Sequence, residues 1–300
     1  MAQVNQANTG NTESTLLEQI ETKIVTDDKI KIFVHAWVPR DARRILICVQ
    51  GLGGHGGYYE DLAHRLTSEY TIVVAPDLRG HGRSEGGRGD IDRFERYLMD
   101  VDAAVTWAST MWPYIPIFMM GESMGASIAI QYVASGQYPT SRNPLAGLVF
   151  VSPVLSSAIR PTFGEMFHFM RTLLIAPKHP SIAVTGREEL VCRDPAFNAL
   201  LRADPLFVRF VSARFLTRLT IWLWQSKRKA RRIKLPLLVL MGGRDHIARR
   251  SGTSAFLRSV TAREQRIVTF PQAYHCLLRD PDTPAVVRVL TVWLTDHHGK

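Results

Sequence analysis

The chain has 300 residues, of which 46% are hydrophobic and 21% are charged, and its formal net charge at pH 7 is +10. These values are typical of a globular protein with one large domain, or with one domain that carries a sizeable insertion. No apolar stretch reaches the length that spans a bilayer, so no membrane-spanning helix is expected. The three cysteines are far apart and show neither metal-binding nor disulfide spacing.

The first 20 residues are polar and lack the basic start and apolar middle of a secretory signal. We therefore expect residues 1–15 to form a disordered tail, and the protein to be cytoplasmic. Residues 227–234 contain six lysines and arginines, which is typical of a solvated helix end. The alternative is peripheral contact with an anionic membrane surface. Nucleic acid is not expected as a partner, because no recognition motif accompanies this charge.

Apolar runs predict seven strands, at residues 31–38, 45–50, 71–76, 115–120, 145–152, 237–241 and 266–270. Several are apolar almost throughout, which is typical of strands buried on both faces of a parallel sheet. Helical spacing of apolar residues lies between them, at 59–66 and 94–111, and helix-like stretches at 126–134 and 283–294. This alternation predicts an α/β fold, with a mostly parallel central sheet and helices on both faces.

The connection from residue 152 to residue 237 is too long for one crossover helix. It predicts an inserted helical cap at residues 154–230, with the core formed by residues 16–153 and 231–300. The insertion is rich in Phe, Met and Trp and has little core of its own, so we expect it to cover the carboxyl edge of the sheet. The alternative is an extra helical layer away from any site.

A Gly-x-Ser-x-Gly pattern lies between the predicted strand 115–120 and the helix 126–134. Its glycines, Gly121 and Gly125, permit the sharp strand-to-helix turn of a nucleophile elbow, which exposes the hydroxyl of Ser123. Serine needs a base to take its proton, and histidine is the usual one. His275 follows the last predicted strand by a short loop, where ligands meet an open α/β sheet.

A histidine base needs an acceptor that fixes its tautomer. Asp245 follows the strand 237–241, and the chain order Ser123, Asp245, His275 is that of α/β hydrolases. Asp77 is the rival, because it also follows a strand. We favour Asp245, and we expect Asp77 and Arg79 to stabilise their own loop.

An oxyanion needs hydrogen-bond donors. The N–H of Met124, directly after the serine, is one candidate. The second is the N–H of Leu52, in the glycine-rich loop of residues 50–57. A phosphate-binding loop is the competing interpretation, but the Gly-Lys-Ser/Thr ending is missing.

Taken together, these motifs resemble the monoacylglycerol lipase and lysophospholipase group of α/β hydrolases, the serine aminopeptidase S33-type family. The resemblance extends from about residue 26 to residue 294. Its carriers are residues 50–55 with Tyr59, 77–84 with Gly86 and Arg88, 121–125, 242–245 and 274–275. The resemblance implies a triad of Ser123, Asp245 and His275, an oxyanion hole at Leu52 and Met124, and a cap that binds the acyl chain.

The sequence departs from this family at four positions. Gln50 replaces the usual histidine at the start of the glycine-rich loop, and Glu122 replaces a commoner histidine in the elbow. Gly54 and Tyr58 stand where monoglyceride lipases carry an acidic and a basic side chain. These two differences leave a preference for glycerol esters open.

The sequence thus predicts a serine hydrolase that cleaves carboxylic esters of a medium- or long-chain acyl group, without cofactor or metal. A lipid or other small ester is the expected substrate, and the oligomeric state is left open. One alternative is an aminopeptidase of the same fold, with Glu165, Glu188 and Glu189 available to hold a substrate amine. The other is a small-molecule receptor that keeps the fold without turnover.

Overall fold

The computed structural model describes residues 17–138 and 145–297. The tail predicted at residues 1–15 lies outside the described residues. The strands are β1 (Glu18–Val25), β2 (Lys31–Val38), β3 (Arg44–Val49), β4 (Thr71–Pro76), β5 (Ile117–Glu122), β6 (Leu145–Val151), β7 (Pro180–Ala183), β8 (Phe210–Ser212), β9 (Leu237–Gly242) and β10 (Gln265–Phe270). The helices are α1 (Glu60–Thr67), α2 (Arg96–Met111), α3 (Met124–Ala134), α4 (Phe163–Ile175), α5 (Glu188–Val191), α6 (Pro195–Ala203), α7 (Ala213–Arg228), α8 (Arg250–Leu257) and α9 (Thr283–Asp296).

Eight strands form the central sheet, in the order β1-β2-β4-β3-β5-β6-β9-β10. The pairs β1–β2 and β2–β4 are antiparallel, and the other neighbours are parallel. The predicted, mostly parallel α/β sheet is therefore confirmed. Each of the seven predicted strands is present, with ends displaced by at most two residues, and β1 is an additional edge strand.

Helices cover both faces of this sheet. On β3, Ile45 and Ile47 point into the cluster that contains residues of α2 and α3. The alternate residues Leu46 and Cys48 point into the cluster that contains residues of α1 and α9. Because successive side chains of a strand face opposite sides, an all-apolar strand such as β3 requires a helical layer on each face.

The parallel neighbours β3, β5, β6, β9 and β10 all end at one edge of the sheet. The loops that follow β3, β5, β9 and β10 carry the sequence-predicted site residues. Parallel pairing therefore gathers parts of the chain that are more than 200 residues apart onto a single edge.

The chain between β6 and β9 contains α4, α5, α6 and α7 together with β7 and β8, which pair antiparallel. Three of its four helices, α4, α6 and α7, begin with a side-chain cap. Thr162 and Glu165 form a capping box at the start of α4, and the side chains of Asp194 and Ser212 cap α6 and α7. None of the helices within 17–138 and 145–297 combines the length and apolar character needed to cross a bilayer.

Helix α7 connects this insertion to the core. Its residues Phe215 and Trp222 are buried and pack against Phe94, at ring-centroid distances of 5.2 and 5.6 Å. The side chain of Gln131 on α3 donates a hydrogen bond to Ser226 on α7, at 3.2 Å. The division of the chain into a core and a cap at residues 154–230 stays a prediction.

Candidate active site

Ser123 stands at the turn between β5 and α3, with φ of +56°. A Cβ atom at Gly121 would lie 2.6 Å from the backbone nitrogen of Ala126. A Cβ atom at Gly125 would lie 2.7 Å from the Gln50 carbonyl oxygen, and closer still to that of Val49. Only glycine permits these approaches, so the two glycines hold the serine in a tight strand-to-helix turn.

The loops after β9 and β10 are joined by backbone hydrogen bonds. The N–H of Gly243 donates to the Phe270 carbonyl at 2.8 Å, and the N–H of Arg244 donates to the Ala273 carbonyl at 3.0 Å. These bonds bring Asp245, which follows Arg244 directly, beside His275. The imidazole of His275 is buried between the two loops.

The structure places the three sequence-predicted side chains in one hydrogen-bonded line. The hydroxyl of Ser123 lies 2.8 Å from Nε2 of His275, and Nδ1 of His275 lies 2.8 Å from Oδ2 of Asp245. The other oxygen of Asp245 accepts from the N–H groups of Ile247 and Ala248, both at 2.8 Å. Asp245 is therefore held on both oxygens, with one directed at the imidazole.

Asp245 is well suited to remain ionised. Burial alone would raise its pKa, but the charge of His275 and the hydrogen bonds from His275, Ala248 and Ile247 outweigh burial and lower it. A carboxylate in this position keeps the proton of a neutral imidazole on Nδ1, which leaves Nε2 free to accept from the serine hydroxyl.

The glycine-rich loop lies against the elbow. A Cβ atom at Gly51 would be 3.0 Å from the Cβ of Ser123. Leu52, the next residue of the loop, is therefore close to the serine side chain. The side-chain amide of Gln50 donates to the Gly54 carbonyl at 2.7 Å. Gln50 thereby fixes the bend of the loop by a hydrogen bond. The assignment of Leu52 and Met124 as oxyanion donors stays a prediction.

Glu122 is joined to the start of α1, a contact that the sequence analysis did not foresee. The hydroxyl of the buried Tyr59 donates to Oε2 of Glu122 at 2.9 Å. Burial raises the pKa of Glu122, and the Tyr59 hydrogen bond and the charge of His275 offset part of that effect. This bond links the residue before the serine to the end of the segment that carries the glycine-rich loop.

Asp77, the rival acid, is used within its own part of the fold. It is fully buried, and its two oxygens accept from the N–H groups of Gly56, at 2.6 Å, and Arg83, at 2.7 Å. Arg79 pairs with Asp100 and Asp28, each at 2.6 Å. These contacts hold the loop after β4 and the far end of the glycine-rich loop in place.

One group of side chains has the spacing of metal ligands. Among the residues that the structure describes, His35, His55 and Asp77 offer ligand atoms within 4.8 Å of one another. The ligand atoms of His55 and Asp77 are already engaged by protein groups, since Gly57 donates to Nδ1 of His55 and the Asp77 oxygens accept from backbone N–H groups. The group therefore serves the fold of the glycine-rich loop.

The acidic residues considered for an aminopeptidase have other partners. Glu165 accepts from the Thr162 N–H at 2.6 Å and from Arg187 at 2.7 Å. Glu188 accepts from a backbone N–H at 2.8 Å, and Glu189 pairs with Arg202 at 3.4 Å. These carboxylates are paired with groups of the chain between β6 and β9.

Part of the basic stretch at 227–234 is also engaged by the fold. Lys227 donates to Ser156 at 2.6 Å, and Arg232 donates to the Ala134 carbonyl at 2.9 Å. The guanidinium of Arg228 lies 4.6 Å from the centre of the Trp224 ring. Arg228, Arg231 and Lys234 are exposed.

The family model described as "Serine aminopeptidase, S33" matches residues 40–282. The chain belongs to this hydrolase family. The predicted resemblance to the S33-type α/β hydrolases is thereby confirmed.

Relatives extend over most of the chain. The monoacylglycerol lipase of Mycolicibacterium smegmatis is 28% identical over 276 residues, which cover 89% of this chain and 94% of that protein. The monoglyceride lipase of Mus musculus is 28% identical over 278 residues, or 91% of this chain and 89% of that protein. A soluble variant of the Saccharomyces cerevisiae monoglyceride lipase, solved with a substrate analog, has the same fold. Its TM-score is 0.81 at 18% identity, over 98% of this chain and all of that one.

Proposed function

We propose that this protein is a serine hydrolase that cleaves carboxylic esters of a medium- or long-chain acyl group through an acyl-enzyme. The observation that carries the proposal is the line of two 2.8 Å contacts from Ser123 through His275 to Asp245. The family and the lipase names of the relatives support the same class of ester hydrolase.

In the first half of the reaction, Ser123 attacks the ester carbonyl carbon while its proton moves to Nε2 of His275. The carbonyl oxygen becomes an oxyanion, to which the N–H groups of Leu52 and Met124 donate, each contributing roughly 3 kcal/mol. The intermediate collapses, the ester C–O bond breaks, and the leaving alcohol takes the proton from His275. The acyl group is then bound to Ser123.

In the second half, water attacks the acyl carbon and transfers a proton to His275. Collapse of the second intermediate releases the carboxylic acid, and the proton of His275 returns to Ser123. Asp245 stabilises the positive imidazole in both halves without taking its proton. Every group that reacts in these steps belongs to the protein, the ester or water.

We propose a single medium or long acyl chain, as in a monoacylglycerol or a lysophospholipid, with helix α4 as part of the surface that receives it. The exposed side chains of α4 are apolar to an unusual degree, with Phe163 90%, Leu174 80% and Ile175 75% exposed. Single exposed apolar residues are ordinary, but a helix that presents many of them supports contact with a lipid.

The same helix supports the proposal of peripheral membrane contact. Exposed basic residues, Arg160 and Arg171, lie just before α4 and on it, and Arg228, Arg231 and Lys234 add to the positive surface. Sedimentation with vesicles that contain phosphatidylserine is the test, because attraction between charges weakens with salt. Binding that is lost in high salt supports contact, and the absence of binding at low salt contradicts it.

Turnover tests the function itself. We expect hydrolysis across a series of p-nitrophenyl esters from acetate to palmitate, run beside a monoacylglycerol and lysophosphatidylcholine. Replacement of Ser123 (Ser123→Ala) abolishes turnover, because the hydroxyl is the nucleophile. It leaves the melting temperature unchanged, because the hydroxyl contributes little to the packing of the core. A wild-type protein that binds these esters without turnover is a receptor, and turnover that survives in the variant removes Ser123 as the nucleophile.

A further inference from the structure

We propose that Asp204, at the end of α6, is a positioning residue for the glycine-rich loop and acts through Tyr58 and His55. The inference rests on the proposed function, since it assigns Asp204 to the placing of the oxyanion donor at Leu52. Asp204 lies 146 residues beyond Tyr58 in the chain, and only the fold brings the two together.

One carboxylate oxygen of Asp204 receives two hydrogen bonds from the core. The hydroxyl of Tyr58 donates to Oδ2, and Nε2 of His55 lies 2.9 Å from the same atom. The N–H of Gly57 donates to Nδ1 of His55, so the ring proton is on Nε2 and points at Asp204. Burial and the nearby carboxylate raise the pKa of Tyr58, which keeps its hydroxyl a donor.

Asp204 is itself held in a fixed place. Its N–H donates to the Leu200 carbonyl at 2.9 Å, and its carbonyl accepts from Arg209 at 3.0 Å. Its second oxygen, Oδ1, accepts from the Leu206 N–H at 2.7 Å. Burial would raise its pKa, but the hydrogen bonds from Tyr58, Leu206 and His55 lower it, so the acceptor is a charged one.

The segment after Asp204 holds the loop at a second point. The N–H of Val208 donates to the Gly53 carbonyl at 2.9 Å. The ring of Phe207 covers Gly53, where a Cβ atom would come within 2.6 Å of it. Gly53 has φ of +84°, a left-handed conformation that glycine adopts without strain. Residues 204–208 thus contact the loop on both sides of Gly54.

The contact at Gly53 is only two residues along the loop from Gly51, which lies against Ser123. Leu52 lies between Gly53, held by Val208, and Gly51, which packs on Ser123. An oxyanion donor is effective only when its N–H lies about 2.7–3.1 Å from the developing charge. A loop released at Gly53 and His55 keeps the Gln50 hydrogen bond to the Gly54 carbonyl but loses the contacts on both sides of Gly54, so Leu52 can move out of that range.

The deciding comparison is between two anchors of the same insertion. Asp204→Asn removes the charge that holds the glycine-rich loop. Asp90→Asn is the matched control, because Asp90 accepts from Ser212, at 2.5 Å, and pairs with Arg214, and so fastens the insertion to a different core loop. Both variants and the wild type are measured for melting temperature, for kcat and KM on p-nitrophenyl butyrate, and for the rate at which a fluorophosphonate labels Ser123.

We expect Asp204→Asn to lower kcat by about 10- to 100-fold, less than the loss of a whole oxyanion donor, and to leave KM within about 2-fold. Phosphonylation of Ser123 slows by a similar factor, because it too develops charge on an oxygen beside the loop. Asp90→Asn keeps kcat within about 2-fold of the wild type, even where it lowers the melting temperature as much.

Equal effects of the two variants on kcat, or a loss from Asp204→Asn that appears only in KM, overturn the inference. If Asp204→Asn does not fold, Tyr58→Phe decides, since it removes one hydroxyl and predicts the same pattern at about 3- to 10-fold. The proposed function fails separately, through a wild type that is phosphonylated at Ser123 but does not hydrolyse esters. In that case the phosphonylation rates still decide for or against Asp204.

Discussion

Replacing Gly125 by alanine tests how closely the elbow and the glycine-rich loop must approach. The new methyl group would lie 2.7 Å from the Gln50 carbonyl oxygen and nearer still to that of Val49. Both are backbone atoms at the end of β3, so neither can move aside as a flexible side chain would. The change must therefore push the first turn of α3 away from the loop.

The cost follows from this overlap. Forcing a methyl group into a packed site costs about 1–3 kcal/mol and occasionally more, and the better helix propensity of alanine returns up to about 1 kcal/mol. We expect a net loss of about 2 kcal/mol, or roughly 3 °C in melting temperature for a chain of this length. Because the shift separates Leu52 from Met124, the two proposed oxyanion donors, we expect kcat on p-nitrophenyl esters to fall as well, by about 10-fold or more, while KM changes little.

Gly164 provides the matched control. It lies in α4, and apart from its own helix backbone no atom lies within 4 Å of a new Cβ, so Gly164→Ala raises stability by up to about 1 kcal/mol. It leaves kcat on p-nitrophenyl acetate unchanged, because the acyl group of that ester is too short to depend on α4. The assay is thermal denaturation of each variant beside its kcat and KM. Two alanine variants with the same melting temperature and the same kcat would refute the close-approach argument.

The remaining predictions concern the charges and the surface. Asp245→Asn, which removes the acceptor that orients the imidazole, lowers kcat by about 10⁴-fold with an unchanged KM, and a loss under about 10-fold would contradict this role. Because the pKa of Asp245 is lowered, its carboxylate stays ionised in mild acid, so it adds no second proton to the acid limb of kcat/KM, whose slope is about one; a slope of two would show Asp245 titrating in the same range. Tyr59→Phe leaves the Glu122 carboxyl without its donor and costs about 1–3 kcal/mol in chemical denaturation, and an unaltered midpoint would argue against that bond. Polar substitutions on the exposed apolar face of α4 reduce palmitate ester hydrolysis more than acetate ester hydrolysis, and equal losses would exclude α4 from the acyl site.

The sheet could be predicted from the sequence because each buried strand is a short apolar run. Residues 45–49 are apolar on both faces, and that is possible only between two helical layers. The edge strand β1 was missed because its exposed positions carry Gln19, Glu21 and Lys23 in an alternating pattern, which gives a weak signal beside a polar stretch of sequence. Its pairing with β2 is a tertiary contact that the local pattern does not contain.

Much of the candidate site could also be placed, because the sequence shows which residues follow a strand. Ser123, Asp245 and His275 each do so, and parallel strands end at one edge. The contacts of Glu122 and Asp204 could not be foreseen. Their partners, Tyr59 and Tyr58, lie 63 and 146 residues away, and nothing local marks either pair. The hydrogen bond from Lys227 to Ser156 could not be predicted for the same reason.

The chain between β6 and β9 is attached unevenly to the rest of the fold. Residues 204–214 are fastened to the core at Gly53, Gly89 and Asp90, whereas α4 packs on α7 and β7, with His168 hydrogen-bonded to the Ser181 carbonyl. If α4 receives the acyl chain, as proposed, then substitutions on α4 would change the chain-length preference while the contacts of residues 204–214 with the glycine-rich loop stay in place.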